Sequence, residues 1–226
     1  DNGEFFTRLS QRIIHIMNTF TSAGILYEVD MRLRPNGASG LLVSSVEAFA
    51  DYQRRSAWTW ENQALVRARV VAGDEKITRQ FERIRSGVLA RPRDADKLGA
   101  EVRDMRQRMR GELNRSDSRQ FDLKQGRGGI VDIEFMVQWA VLRWSNKYPE
   151  LLRYTDNLRL LETISQAGLM PEDEVAALTA VYLDIRRRIN HLALQEEEPV
   201  VGNDEFIEQR ETVAAIWDRM LGPDEA

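Results

Sequence analysis

The stretch IVDIEFMVQWAVLRW, residues 130–144, is apolar on nearly every side of a helical projection. A surface helix keeps a polar stripe toward water, so a helix without one belongs in the middle of a bundle. The residues around it supply the bundle. Upstream, Leu98, Val102, Met105, Met109 and Leu113 recur at three- and four-residue spacing, and the polar run NRSDSRQFDLKQGRGG, residues 114–129, joins that stripe to the central helix. Downstream, helices are predicted over Asn157 to Gly168, Pro171 to about Gln195 and Asn203 to Leu221, with Pro171 suited to a first helical turn. No internal repeat is evident.

Working toward the N-terminus, ARPRDADK at residues 90–97 breaks the helical pattern, and Pro92 is the sharpest boundary in the chain. The predicted division is therefore 1–91 and 92–226. Before it, Asp74 is placed to cap a helix carrying Ile77, Phe81, Ile84 and Val88, and Trp58 to Val71 reads as helical. Ser44 and Glu47 have capping-box spacing for a helix through about Arg54. At the start, Asn2 caps an amphipathic helix with Phe6, Leu9, Ile13, Met17 and Phe20 on one face, ending near Gly24, and that face needs a partner.

Composition sets the surroundings. The chain has 226 residues, 42% of them hydrophobic, enough for real cores. It has no cysteine, which excludes disulfides and thiolate metal sites. No run of 18 apolar residues occurs, no secretory pattern opens the chain, and the cytoplasm is the expected compartment. A formal net charge of -4 gives no electrostatic reason to expect nucleic acid or an anionic membrane as partner.

The exception to the helical pattern is YEVDMRLRPNGASG, residues 27–40. Leu26 to Leu33 alternates, with Tyr27, Val29, Met31 and Leu33 on one face and Glu28, Asp30, Arg32 and Arg34 on the other. Pro35 and Gly37 to Gly40 end this predicted strand, and GLLVSS reads as a second short one, giving a hairpin-like pair. Carboxylates at the spacing of Glu28 and Asp30 can hold a divalent ion, and Arg32 and Arg34 can bind phosphate oxygens. A solvated strand face with self-neutralising charges is the plain alternative.

Two other acid pairs are weaker. Asp94 and Asp96 lie in the broken stretch around Pro92, where capping is the simpler role. Asp132 and Glu134 stand about 200° apart on a helix and cannot act as a dyad there. KQGRGGIVDIEF places Lys124, Arg127 and the amides of Gly128 and Gly129 ahead of a helix, a geometry for phosphate or an acidic segment. The alternative there is a glycine turn with Asp132 in the first helical turn and Glu134 against an arginine. Arg67 and Arg69 can reach toward phosphate or make surface ion pairs. The run of arginines at 186–188 wraps around its helix, His15 and His191 are isolated, and the five tryptophans read as core and interdomain packing.

Three longer segments carry a resemblance: GILYEVDMRLRPNGASGLLVSSVEAFADYQ at 24–53, AWTWENQALVRARVVAGD at 57–74 and GGIVDIEF at 128–135. Together they resemble the glutamine synthetase adenylyltransferases, bifunctional enzymes with two nucleotidyltransferase halves. The Tyr27 to Asp30 and Trp58 to Glu61 stretches are similar to the C-terminal, adenylylating half. The resemblance implies a mainly α chain with an α+β remnant: part of a polymerase β-like nucleotidyltransferase fold with a few short strands, followed by a helical bundle.

It also implies chemistry. Asp30 matches the third of three carboxylates that hold divalent ions around ATP, making it the implied catalytic and metal-binding residue, with Mg2+ or Mn2+ as the metal. Glu28 is not part of that motif. Arg32, Arg34, Lys124 and Arg127 are the implied nucleotide-binding residues. The other two carboxylates should precede residue 4, so the chain reads as the C-terminal piece of a longer enzyme and is expected to be inactive alone. The implied reaction transfers AMP to a tyrosine of glutamine synthetase, with glutamine and the PII nitrogen-signalling protein as regulators. The alternatives are the adenylyl-removing half, which phosphorolyses the same bond, and a non-catalytic helical module that docks glutamine synthetase or PII.

Overall fold

The computed structural model describes residues 2–25 and 29–223. Its centre is the helix α6, Ile130–Trp144, with ten buried residues. Around it stand α3 (Thr59–Arg67), α5 (Ala95–Leu113), α7 (Asn157–Gln166), α8 (Glu172–Leu194) and α9 (Ile207–Leu221), all of which pack on α6 or on its immediate neighbours. Ile133, Met136, Val137, Ala140, Val141 and Leu142 of α6 lie at the heart of one core shared with Leu98, Val102, Leu160, Leu161, Leu178, Ile185 and Trp217. The all-round apolar pattern of 130–144 is thus a central, enclosed helix.

The helix starts follow their caps. Ser45, one residue later than the spacing of Ser44 and Glu47 indicated, accepts from the Ala48 N–H at 3.1 Å and opens α2, Val46–Arg55. Asp74 accepts from Lys76 and Ile77 N–H groups and opens α4, Glu75–Leu89. Asp94 accepts from Lys97 N–H and opens α5, which settles its role as a cap. Asp156 does the same for α7 through Arg159 N–H.

Among the described residues the predicted hairpin does not form. Residues 29–36 follow an irregular path, a single 3-10 turn occupies Gly37–Ser39, and residues 40–45 are extended without pairing. Local side-chain bonds compete with a ladder in this segment, since Asp30 accepts from the Arg32 N–H and Arg34 donates to the carbonyls of Met31, Ala38 and Gly40. An isolated pair of short strands has little stability of its own in water. Leu26, Tyr27 and Glu28 lie outside the described residues.

Among the described residues the only sheet is elsewhere. β1 (Gln120–Asp122) pairs antiparallel with β2 (Val200–Gly202), Phe121 opposite Val201. It ties the connection between α8 and α9 to the segment entering α6. These strands were hidden in polar sequence because three residues are too few for a period-two pattern.

The core crosses the break at Pro92. Leu65, Val66 and Leu89 belong to the same cluster as α5 to α9, while Ala50, Ile84 and Val88 form a small satellite between α2 and α4. Arg85, 2% exposed, reinforces the crossing. It donates to Leu65 O at 3.0 Å, Val66 O at 2.8 Å and Leu152 O at 3.0 Å, closing the free carbonyls of α3 and holding the Pro149–Leu152 turn. Burial pulls the Arg85 pKa below its ordinary value, and Arg93, buried against the carbonyls of Val88 and Leu89, down to about 10. Both groups keep their charge at neutral pH.

Two expectations about packing change. α1 (Asn2–Asn18) has its apolar stripe but buries none of its residues, with Phe5, Ile16 and Phe20 open to solvent. Trp217 and Trp139 are core residues, whereas Trp58 is 71% exposed at the N-cap of α3.

The central helix gives a direct check. Phe135, 8% exposed, fills the space between α6 and the Arg106 guanidinium. Phe135→Ala combines a transfer and a cavity loss and is expected to lower the unfolding free energy by about 3–5 kcal/mol. Chemical denaturation with unchanged slope reads that loss.

Candidate functional site

The segment after residue 28 is held by its own arginines. Both oxygens of Asp30 face Arg32: Oδ1 accepts from the Arg32 N–H at 2.8 Å and Nε at 3.0 Å, and Oδ2 accepts from Nη2 at 2.6 Å. The pair is exposed, and the hydrogen bonds from the Arg32 side chain, then its backbone, hold the Asp30 carboxyl down at about 2. Asp30 is therefore a fixed anion throughout the biological range. Arg34 instead acts as a buckle on its own loop through three carbonyls.

That loop closes one side of a pocket of about 340 Å3. Leu33, Arg34 and Pro35 face Phe49 of α2, Arg67 of α3 and Phe81 of α4 across it. Glu61, at its inner wall, is committed to structure: Oε1 accepts from the Tyr52 hydroxyl at 2.8 Å and Oε2 from the Trp58 N–H at 2.9 Å. Arg67 leads out of the pocket. Its guanidinium approaches Glu134 of α6 at 3.4 Å, and Glu134 Oε1 accepts from Asn157 Nδ2 at 3.1 Å. Asn157 donates also to the Tyr182 hydroxyl at 3.1 Å, linking α3, α6, α7 and α8 in one polar row.

Asp132 does something different. Its Oδ1 accepts from Arg106 Nε at 2.6 Å and Arg110 Nη2 at 3.0 Å, and its Oδ2 from the Gly128 N–H at 2.7 Å, all with the carboxylate 1% exposed. Gly129 N–H donates to Gly126 O at 2.9 Å. The two glycine amides proposed for phosphate are thus both used within the turn. Gly128 has φ +80°, and a Cβ there would stand 2.1 Å from Arg210 O of α9, so only glycine fits. Arg127 pairs with Asp218 of α9 at 2.7 Å, and Lys124 is exposed. Neither lines the pocket beside Arg34, so the structure brings Asp30, Arg32 and Arg34 together but leaves Lys124 and Arg127 with the bundle.

The partners of Asp132 had gone unassigned. Arg106 and Arg110 sit on the face of α5 next to Met105 and Met109, and arginines repeating at i and i+4 beside an apolar stripe were the available signal. The run of arginines spreads around its helix as expected, whereas His15 and His191, expected to be packed or half-exposed, are open to solvent. Arg186, Arg187 and Arg188 turn to Tyr182, Asp184 and Glu205, three separate directions. Among the described residues no group of three histidine, aspartate or glutamate side chains can hold a metal, and no helix is long and apolar enough to cross a membrane.

Comparison with known proteins gives the class. Residues 1–84 match the family model for glutamate-ammonia ligase adenylyltransferase, and residues 100–212 match that for GlnD PII-uridylyltransferase, so both segments fall within nucleotidyltransferase families. The chain is 55% identical over 98% of its length to the bifunctional glutamine synthetase adenylyltransferase/adenylyl-removing enzyme of Thioalkalivibrio sulfidiphilus (strain HL-EbGR7), covering 23% of that protein. It is 52% identical over 97% of its length to the protein of the same name from Pseudomonas syringae pv. tomato (strain ATCC BAA-871 / DC3000), covering 24% of it. The chain belongs to the glutamine synthetase adenylyltransferase family and spans about a quarter of the length of these curated relatives.

Two measurements test the geometry. Asp132→Ala leaves the guanidiniums of Arg106 and Arg110 around an empty acceptor, and removing one partner of such a buried pair is expected to cost roughly 3–5 kcal/mol of stability. Thermal or denaturant unfolding reads this. Arg32→Ala removes the side-chain donors to Asp30 and is expected to return its carboxyl toward the ordinary aspartate range, followed by NMR titration. In the parent chain the folded value is the lower one, so this contact favours folding above the ordinary aspartate pKa and is lost as pH falls toward about 2.

Proposed function

We propose that this chain is the part of a glutamine synthetase adenylyltransferase that supplies one carboxylate, Asp30, to nucleotidyl transfer and attaches the helical domain beside it. The reaction proposed is transfer of AMP from ATP to a tyrosine hydroxyl of glutamine synthetase, with release of pyrophosphate, in the adenylylating half. The observation that carries this reading is Asp30 held ionised by Arg32 on an exposed loop, within the segment matching the adenylyltransferase model. A surface acid fixed by four hydrogen bonds from one arginine is already oriented, which is what a group that must meet a cation or an attacking hydroxyl requires.

The described residues do not by themselves fit a divalent metal: among them no group of three histidine, aspartate or glutamate side chains converges, and Arg32 covers both oxygens of Asp30. What the chain's own residues supply is charge and position. Asp30 provides a fixed negative charge, and Arg32 orients it while leaving a guanidinium edge open to phosphate oxygens. Lys124 is a second exposed cation available for ATP, whereas Arg34 and Arg127 would first leave their carbonyl and carboxylate partners. Glutamine and PII are proposed as regulators, and the cytoplasm as the site of action. The division at 91/92 is proposed as a junction between family modules, since it falls between the two matched segments, with one core laid across it.

The test uses Asp30→Asn in an enzyme of the relatives' full length that carries this segment. Radiolabelled AMP transfer from ATP to unmodified glutamine synthetase is expected to fall by orders of magnitude, with the melting temperature unchanged. A near wild-type rate overturns the assignment of Asp30. Loss confined to phosphorolysis of adenylylated glutamine synthetase assigns the segment to the removing half instead.

A further inference from the structure

A cationic face with an outward tryptophan lies where α2, α3 and the start of α5 meet. Trp58, 71% exposed, stands at the N-cap of α3, its N–H fixed by Glu61 Oε2. Arg54 and Arg55 form the last turn of α2, four and three residues before it in sequence. Arg91 Nη1 donates to Arg54 O at 2.7 Å, which brings the α4–α5 connection against that turn. Behind these residues a cleft of about 420 Å3 is walled by Thr59, Asn62, Arg91, Arg93 and Lys97.

Two of the acids nearby are engaged, whereas Glu47 and Asp51 share the surface around Arg54 without pairing to it. Asp94 caps α5, and Glu101 accepts from the Thr59 hydroxyl and stands 3.9 Å from Lys97 Nζ. Asp51, one turn back from Arg55, is exposed and makes no ion pair with it. Arg54, Arg55 and Arg91 are exposed, and among the described residues none of the three has a carboxylate at ion-pair distance. Exposed tryptophan and arginine are residue types that dominate protein interfaces, and three exposed arginines without a carboxylate of their own favour a partner of opposite sign.

We propose that this face docks an acidic polypeptide segment of a partner protein, its carboxylates on Arg54, Arg55 and Arg91 and one apolar side chain laid on the Trp58 indole. A short acidic segment suits the face better than a long polyanion, because three cations cover only a small area and the chain as a whole carries a net charge of -4. The cleft that starts at Thr59, next to Trp58, has polar and charged walls, with Arg93 Nη2 donating to Asn62 Oδ1 at 3.1 Å, so the apolar side chain rests on the indole and the cleft takes polar groups. The proposal rests on this surface alone and is independent of the AMP-transfer reading.

The probe is a synthetic peptide of about twelve residues built from Glu-Asp-Glu-Leu repeats, long enough to span such a face in extended form. Tryptophan emission and calorimetry on the 226-residue chain are expected to show saturable binding that weakens as salt is raised, with a blue shift absent from Trp58→Phe. Arg91→Glu is expected to raise the dissociation constant at least about tenfold at an unchanged melting temperature. Arg55→Glu, which removes no backbone contact, is expected to do the same and decides the matter if Arg91→Glu fails to fold. Equal binding by the folded charge-reversal variants and the parent chain overturns the proposal. So does tighter binding of a thymidine oligonucleotide of equal length, which would make the face a nucleic-acid contact.

Discussion

The bundle depends on a buried carboxylate with more donors than it can outrun. Asp132 enters the core one turn into α6 and is met there by Arg106, Arg110 and the Gly128 N–H. Burying any of these charges alone costs several kcal/mol, and their mutual attraction repays that only when the geometry is complete. Arg106 completes it by spending its remaining donors on Gln125, through the side-chain oxygen at 2.9 Å and the backbone carbonyl at 2.9 Å. The result fixes three things at once: the tilt of α5 on α6, the path of the loop at 123–129, and the left-handed Gly128 that lets this loop pass under α9.

From that clamp the rest of the bundle can be built outward. The loop that Gly128 turns is the continuation of β1, and β1 is paired with β2 at the entrance to α9. Phe121 of β1 lies under the Arg210 guanidinium at 4.8 Å, and Arg210 also holds Asn203 beyond β2. α9 in turn meets α5 through Arg103, which donates to the Leu221 carbonyl at the helix end. Arginines 103, 106 and 110 thus line one side of α5 and all act inward, on carbonyls and a carboxylate, so the helix packs through charge as well as through Leu98 and Val102. A polar-looking helix can belong to a core when each of its cations has a geometric partner.

This explains what was legible in the sequence. The central helix, the caps at Asp74 and Asp94 and the break at Pro92 depend on residues within one or two turns of each other, and they were readable from 130–144 and from the capping spacings. The inward direction of Arg106 and Arg110 was not, because it is decided by an acid 22 to 26 residues away. The strand expected around Asp30 failed for a related reason. Alternation shows that a segment can present two faces, whereas a strand exists only where a neighbouring strand takes up its N–H and C=O groups. Among the described residues Asp30 and Arg34 take up those groups instead. The exposed Trp58 escaped because a tryptophan next to helical sequence usually signals packing, and only its N-cap position turns it outward.

The same helical geometry joins α6 to α3 and α7. Residues two apart on a helix point about 200° apart, which ruled out Asp132 and Glu134 as a joint acid pair. It also means that one short motif serves two opposite sides of α6. Asp132 faces α5 and the glycine turn, while Glu134 faces Arg67 at the end of α3 and Asn157 at the start of α7. Arg67 is in the wall of the pocket that Arg34 closes, and Arg85 anchors the carbonyls just before it. Through Glu134 and Arg67, α6 is thus joined to the wall of the pocket that Arg34 closes. The Asp-Ile-Glu spacing therefore lets one short stretch of α6 bind α5 and the glycine turn on one side and the ends of α3 and α7 on the other.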